Sequence, residues 1–229
     1  MGKKKHNVVI SSWRDVITIR SKPIKVKQTV PTIRVGRYFG MAANRSGIIR
    51  KLLNPVIPNP ASRDLIYRLQ DAFYQWLRSG ALTNNQPVND IPFFNGLSLN
   101  EKSDLSQFLR FPVTVSRSAD GQVLLHLPAF DPVKQIKAPA GTTIFYLEIA
   151  LAGLSIENPA QQEVFQTELA IPYIAGILPA QDIRLQLATM PGRLLIVAIA
   201  LQYFTGNTMY QGTSQLRWRP AGIVGSFYN

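Results

Sequence analysis

Cysteine is absent from the 229 residues, which excludes disulfides and thiolate metal sites. Histidine occurs twice, as His6 in a basic tail and His126 within the apolar run 123–127. Most hydrolytic and transfer reactions need a base that titrates near neutrality, held by a positioned partner. Two isolated histidines offer no such pair. The acids lie singly, so neither a carboxylate cluster nor a His-x3-His spacing is available to a metal. Phosphate-cradling motifs, Gly-x4-Gly-Lys-[Ser/Thr] and Gly-x-Gly-x-x-Gly, do not occur. An enzyme is not expected, nor a cofactor.

Long apolar runs are also missing. The longest, 194–201, falls far short of the roughly 20 residues that span a bilayer as a helix, so no membrane span is expected. Lys3-Lys4-Lys5 is followed by His6, Asn7, Val8, Val9, Ile10 and then Ser11, too short a run for a secretory signal core. Met1-Gly2 opens like a myristoylation site, but His6 stands where Ser or Thr is needed. Asn44-Arg45-Ser46 fits a glycosylation triplet but falls inside an expected helix. The expected location is cytoplasmic, with an assembled particle or a specialised export route as the alternative.

Acid is scarce, and its distribution is uneven. Residues 1–51 hold 13 of the 25 Lys and Arg and a single acid, Asp15. Residues 52–229 hold 12 of each sign, so the net charge of +12 belongs to the N-terminal segment. The apolar fraction of 46% is ordinary, while the charged fraction of 17% is low and argues against bulk disorder.

Within that segment, residues 8–20 carry two β-branched runs flanking Ser12 to Asp15, the pattern of a hairpin or two short strands. Ile24-Lys25-Val26-Lys27 alternates apolar and basic, which in a strand puts Ile24 and Val26 on one face and Lys25 and Lys27 on the other. Pro23 and Pro31 flank it, so an edge strand or extended arm over residues 1–36 is expected.

From residue 35 the period becomes helical. Val35, Phe39, Ala42, Ile49 and Leu53 fit one stripe, and a second stripe, Leu65, Leu69, Phe73 and Trp76 with Ile66 and Leu77 beside it, runs to Ser79 and Gly80. Asn59 is the expected cap of that second helix, with Pro60 in its first turn. A short helix over 99–109, capped by Ser98 or Asn100, completes a helical region of residues 37–106. Residues 107–229 then read as seven short strands: 113–116, 123–127, 142–151, 163–174, 183–190, 194–204 and 223–228. Gly- and Pro-rich turns separate them, and Asp120-Gly121 is a hairpin signal. The expected fold is α+β: a basic extended N-terminal arm, a two-helix element and a C-terminal antiparallel β-sandwich of immunoglobulin-like kind. Its strands and turns read as self-contained, so residues 107–229 are expected to fold without residues 1–36.

Trp13-Arg14-Asp15-Val16-Ile17-Thr18-Ile19-Arg20-Ser21-Lys22-Pro23 resembles the opening of a family of uncharacterised bacterial proteins of about this length. Those proteins share a Trp-Arg turn, a short strand, Arg-Ser-x-Pro and a basic stretch, followed by a helix of the Arg37-Tyr38-Phe39 kind. Asp15 stands where the family turn carries Gly. The resemblance covers about 40 residues well. It implies the same domain order, with a β-rich C-terminal region, and implies no activity.

Two functional expectations follow for the basic segment. In the first, the protein is a structural subunit that self-assembles into a homo-oligomer, filament or phage-like particle. Trp13, Ile24 and Val26 then carry the contact as an arm added to a neighbour's sheet edge. In the alternative, Lys25, Lys27, Arg34 and Arg37 neutralise phosphates of a nucleic acid or another anionic partner, with Trp13, Tyr38 and Phe39 nearby for stacking.

Overall fold

Two strands that are largely apolar on both faces sit at the centre of the architecture, Ile144–Ser155 and Arg193–Thr205. They pair antiparallel, with Leu147 opposite Leu201 and Leu151 opposite Val197. This computed structural model describes residues 8–13, 16–21, 28–58, 62–80, 88–89, 91–118, 121–188, 192–206, 208–209 and 215–228. The elements in chain order are β1 (Val8–Trp13), β2 (Val16–Ser21), α1 (Val30–Leu52), α2 (Arg63–Arg78), β3 (Val88–Asn89), α3 (Leu105–Phe108), β4 (Thr114–Arg117), β5 (Val123–Leu127), α4 (Pro132–Gln135), β6 (Ile144–Ser155), β7 (Gln162–Pro172), β8 (Gln181–Leu185), β9 (Arg193–Thr205), β10 (Thr208–Met209), a 3-10 turn (Gln215–Trp218) and β11 (Ala221–Tyr228). The protein is α+β, and every strand pair among the described residues is antiparallel.

The chain divides into two units, Met1–Arg37 and Tyr38–Asn229, with the division inside α1. The first contains the β1–β2 hairpin, in register from Val8 opposite Ser21 to Trp13 opposite Val16. Residues 22–27, including Ile24, Lys25, Val26 and Lys27, lie outside the described residues. The extended arm expected to residue 36 gives way earlier, because α1 begins at Val30. Pro31 opens the helix instead of keeping the chain extended. In the first turn its missing N–H would have had no helical partner, and its fixed φ suits the helix. Thr29 Oγ1 accepts from the Thr32 amide at 3.4 Å and caps that turn.

The second unit has three layers. Its large sheet runs β3-β11-β9-β6-β7, with β10 beside β9, and its small sheet runs β4-β5-β8. Strand alternation sorts β6 and β9 into two faces. Ala150, Ala152, Leu154, Leu194, Ile196, Ala198 and Ala200 join the buried side chains of α1 and α2 in one core. Phe145, Leu147, Ile149, Leu151, Leu195, Val197, Ile199 and Leu201 join Val123, Leu125, Leu127 and Leu185 of the small sheet in another. The four alanines keep the helix-facing surface low, so α1 and α2 can lie close against it. Arg45 of α1 fixes that approach from a buried position. Its guanidinium donates to the Ile156 carbonyl at 2.5 and 3.2 Å, so one of the 13 basic residues of the N-terminal segment is committed to packing.

The expected helical stripe of α1 holds only in its second half. Ala42, Ile49 and Leu53 are fully buried, whereas Val35 and Phe39 are more than half exposed. Helix α2 buries Leu65, Leu69, Phe73, Trp76 and Leu77 and leaves Ile66 exposed. Its cap is Ser62, whose hydroxyl accepts from the Asp64 amide at 3.1 Å; Asn59 and Pro60, expected at the helix start, lie outside the described residues. The third helix shrinks to Leu105–Phe108 with Asp104 as cap, because Asp104 Oδ1 reaches the Ser106 amide at 2.9 Å. All seven expected strands form, joined by the two short strands β3 and β10.

Strand β11 bulges between Ile223 and Gly225, and there Val115 of β4 comes close to it. A Cβ on Gly225 would sit 2.8 Å from Val115 Cβ on β4. Gly225→Ala is therefore expected to lower stability by about 1–3 kcal/mol through overpacking. Gly47→Ala, in an open stretch of α1, should leave stability unchanged or raise it by up to about 1 kcal/mol. Chemical denaturation of the two variants checks the contrast, and equal effects would refute the close approach.

Candidate functional site

Of the seven residues singled out from the sequence, the structure describes three. Trp13 ends β1 opposite Val16. Arg34 and Arg37 lie exposed on α1, three residues apart and hence on one helix face. Ile24, Lys25, Val26 and Lys27 fall outside the described residues.

The N-terminal unit adds apolar surface that sequence reading did not single out. Ile17 and Ile19, two apart on β2 and so on the same face, are 69% and 67% exposed. On the first turns of α1, Val30 and Ile33 are also exposed. These large aliphatic side chains leave apolar surface of the N-terminal unit open to solvent.

The opposite charge gathers in the stretch 138–183, with four of its five acids on the β6–β7 hairpin and Asp182 on β8. Residues 138–183 carry five acids, Glu148, Glu157, Glu163, Glu168 and Asp182, and no Lys or Arg. The sequence held this signal, but without the strand order nothing marked the stretch as an edge. Strand β7 is the terminal strand of the large sheet, and among the described residues it pairs only with β6. Its 11 residues therefore present a row of outward backbone groups.

Glu148 and Glu168 are direct cross-strand neighbours on the helix-side face of this hairpin. Pro55 and Val56, just beyond α1, border them together with Gln166, around a notch of about 260 Å³. Burial pushes the Glu148 carboxyl above the usual range, Arg219 at 3.4 Å opposes that, and Glu168 adds to it. Glu163 lies on the other face, where its carboxylate meets the buried Arg193 guanidinium at 2.9 Å. Arg193 passes over Gly153, whose missing side chain leaves it room: a Cβ there would lie 3.2 Å from Arg193 and 2.8 Å from Leu187.

The small sheet presents one further polar row. Thr114, His126 and Asp182 are neighbours across β4, β5 and β8, and His126 Nδ1 lies 2.6 Å from Asp182 Oδ1. The pair sits on an open strand surface, 44% and 57% exposed, where water is not kept from a reacting group. So exposed a contact contributes about 0–1 kcal/mol. Among the described residues no three His, Asp or Glu side chains converge on a metal-sized site, and no helix is long and apolar enough to cross a membrane.

No protein-family model, curated protein or solved structure matches this chain. Its own surface chemistry alone carries the functional reading. That surface is polar in two senses: a basic, partly apolar N-terminal unit, and an acidic edge hairpin in the second unit.

Proposed function

We propose that the protein is a non-enzymatic structural subunit that self-assembles, with its N-terminal segment docking on another copy. The exposure of Ile17, Ile19, Val30 and Ile33 on the basic unit carries this reading. Such side chains favour burial by about 1.5–3 kcal/mol each, and a partner is the way to realise it. The second unit supports the reading as a scaffold of immunoglobulin-like kind. Its small sheet β4-β5-β8 has the order A-B-E, and β7-β6-β9-β11 has the order C′-C-F-G. Folds of this class present their edges and loops to partners on a rigid sandwich.

A second reading, nucleic-acid binding, is favoured by the exposure of Arg34 and Arg37 on one face of α1. One pair of variants separates the two. In the assembly reading, Ile24→Asp with Val26→Asp dissolves the oligomer seen by analytical ultracentrifugation, because charge would enter an apolar contact. Replacing Lys25, Lys27 and Arg34 by Gln weakens the oligomer only by the charge pairs lost and does not dissolve it. Wild-type protein that stays monomeric at high concentration, yet binds DNA with a log–log salt slope that this triple variant flattens by about 2–3, would establish the second reading instead.

A further inference from the structure

We propose that the outer edge of β7 is the acceptor for residues 24–27 of a second copy, which add to the large sheet as one more strand. This rests on the assembly reading above and names its acceptor. Three observations converge on that edge. Strand β7 is long and terminal, so a full row of backbone donors and acceptors is on offer.

Its two faces also match the two faces of Ile24-Lys25-Val26-Lys27. On the side toward the small sheet, β7 carries Phe165 and Leu169, half-buried at the rim of the inter-sheet core. On the other side it carries Gln166 and Glu168, with Glu148 one strand further in. A strand laid beside β7 with Ile24 and Val26 on the first side extends the apolar core past its rim. The period of two then places Lys25 and Lys27 on the second side, beside Glu168 and the notch below Pro55.

Charge completes the match. On β7, Glu168 has no ion pair among the described residues, whereas Glu163 meets Arg193, and the N-terminal 51 residues have 13 bases and one acid. The same charges disfavour pairing of β7 with a second β7, because that would bring Glu163 and Glu168 of one copy against those of another. The contact joins unlike surfaces, so it closes a dimer where two copies exchange arms reciprocally and a ring or filament where they do not.

The absence of cysteine makes the register directly readable, since any introduced thiol is the only one on its chain. Four single variants are made in differently tagged chains: Val26→Cys, Lys25→Cys, Thr167→Cys and Gln166→Cys. Mixed pairs are treated with a short bis-maleimide at assembling concentration. Val26→Cys with Thr167→Cys, and Lys25→Cys with Gln166→Cys, are expected to cross-link between tags. The face-mismatched mixture, Val26→Cys with Gln166→Cys, should give at least about fivefold less, because neighbouring strand residues point to opposite faces.

Charge reversal gives the second readout. Glu168→Lys is expected to weaken assembly about tenfold, Lys25→Glu with Lys27→Glu by a similar factor, and the triple variant to recover to within about threefold of wild type. Glu168 is exposed and faces Glu148, so its replacement leaves the fold intact, which thermal melting verifies. Thr167→Cys cross-linking to itself as strongly as to Val26→Cys would replace the proposal with a β7–β7 contact. An oligomer lost with Ile24→Asp and Val26→Asp but indifferent to Glu168→Lys, with no cross-link to β7, would move the acceptor elsewhere and leave the assembly reading standing. Monomeric wild-type protein at every concentration would end both.

Discussion

Trp76→Ala is expected to lower the stability of the protein by about 3–5 kcal/mol. Trp76 is 1% exposed, on the face of α2 that meets the large sheet. Its ring stands edge-on to Phe73, Phe94 and Tyr228, at centroid distances of 6.2, 6.1 and 5.4 Å. Those partners come from the same helix, from the segment after β3 and from β11. One truncation therefore opens a cavity where three parts of the chain meet, and none of them can collapse into it alone. Trp76 Nε1 is buried with no hydrogen-bond partner among the described residues, so Trp76→Phe removes an unsatisfied donor along with some volume. That variant should cost less than about 1.5 kcal/mol. Tyr67→Ala, on the solvent side of α2 at 68% exposure, should stay within about 0.5 kcal/mol of wild type. Urea denaturation with a constant m-value decides the comparison. A loss below about 1 kcal/mol for Trp76→Ala would show that the ring does not hold the two layers together.

Which parts of this architecture could be read in advance depended on how local their cause was. The α2 stripe is a periodicity of the chain itself, and it carried through to a buried face. The strand expected over 194–204 is β9, and its unbroken apolar run 194–201 is buried on both faces. Val35 and Phe39 continue the α1 period but are not buried, because a period shows which residues share a face and not whether anything covers it. The start of α1 was hidden by Pro31, a residue that stops a strand and also suits a helix's first turn. Ser62 and Asp104 displaced the expected caps because several Ser, Asn and Asp residues compete near each helix start, and tertiary packing selects one. The acidic edge needed two facts together. Charge counting gives the stretch 138–183, but only the order β7-β6-β9-β11 places β7 at the rim.

Removal of residues 1–106 is expected to abolish cooperative folding, whereas removal of residues 1–37 is expected to preserve it. The seven main strands all lie within 107–229, and their turn signals make that fragment read as self-contained. Packing argues otherwise. The helix-side face of the large sheet carries Leu154, Leu194, Ile196 and Ile223, each no more than 1% exposed beneath the layer that contains α1 and α2. Without that layer these four alone return to water at about 1.5–3 kcal/mol each, comparable to the whole stability of a typical domain of about 5–15 kcal/mol. The same cut unzips the far edge of β11, where the Ile91, Gly96 and Leu99 amides donate to the Ser226, Ile223 and Ala221 carbonyls at 3.2, 2.9 and 2.8 Å. It also removes Arg45, whose guanidinium satisfies the Ile156 carbonyl. Residues 38–229 keep all of these contacts, since the division between the two units falls at Arg37. The longer fragment should therefore show a sigmoidal thermal transition and structured near-ultraviolet dichroism. The shorter one should show neither, and should bind a hydrophobic dye through its uncovered sheet. A cooperative melt of residues 107–229 near that of the longer fragment would mean that the two sheets hold each other without the helices.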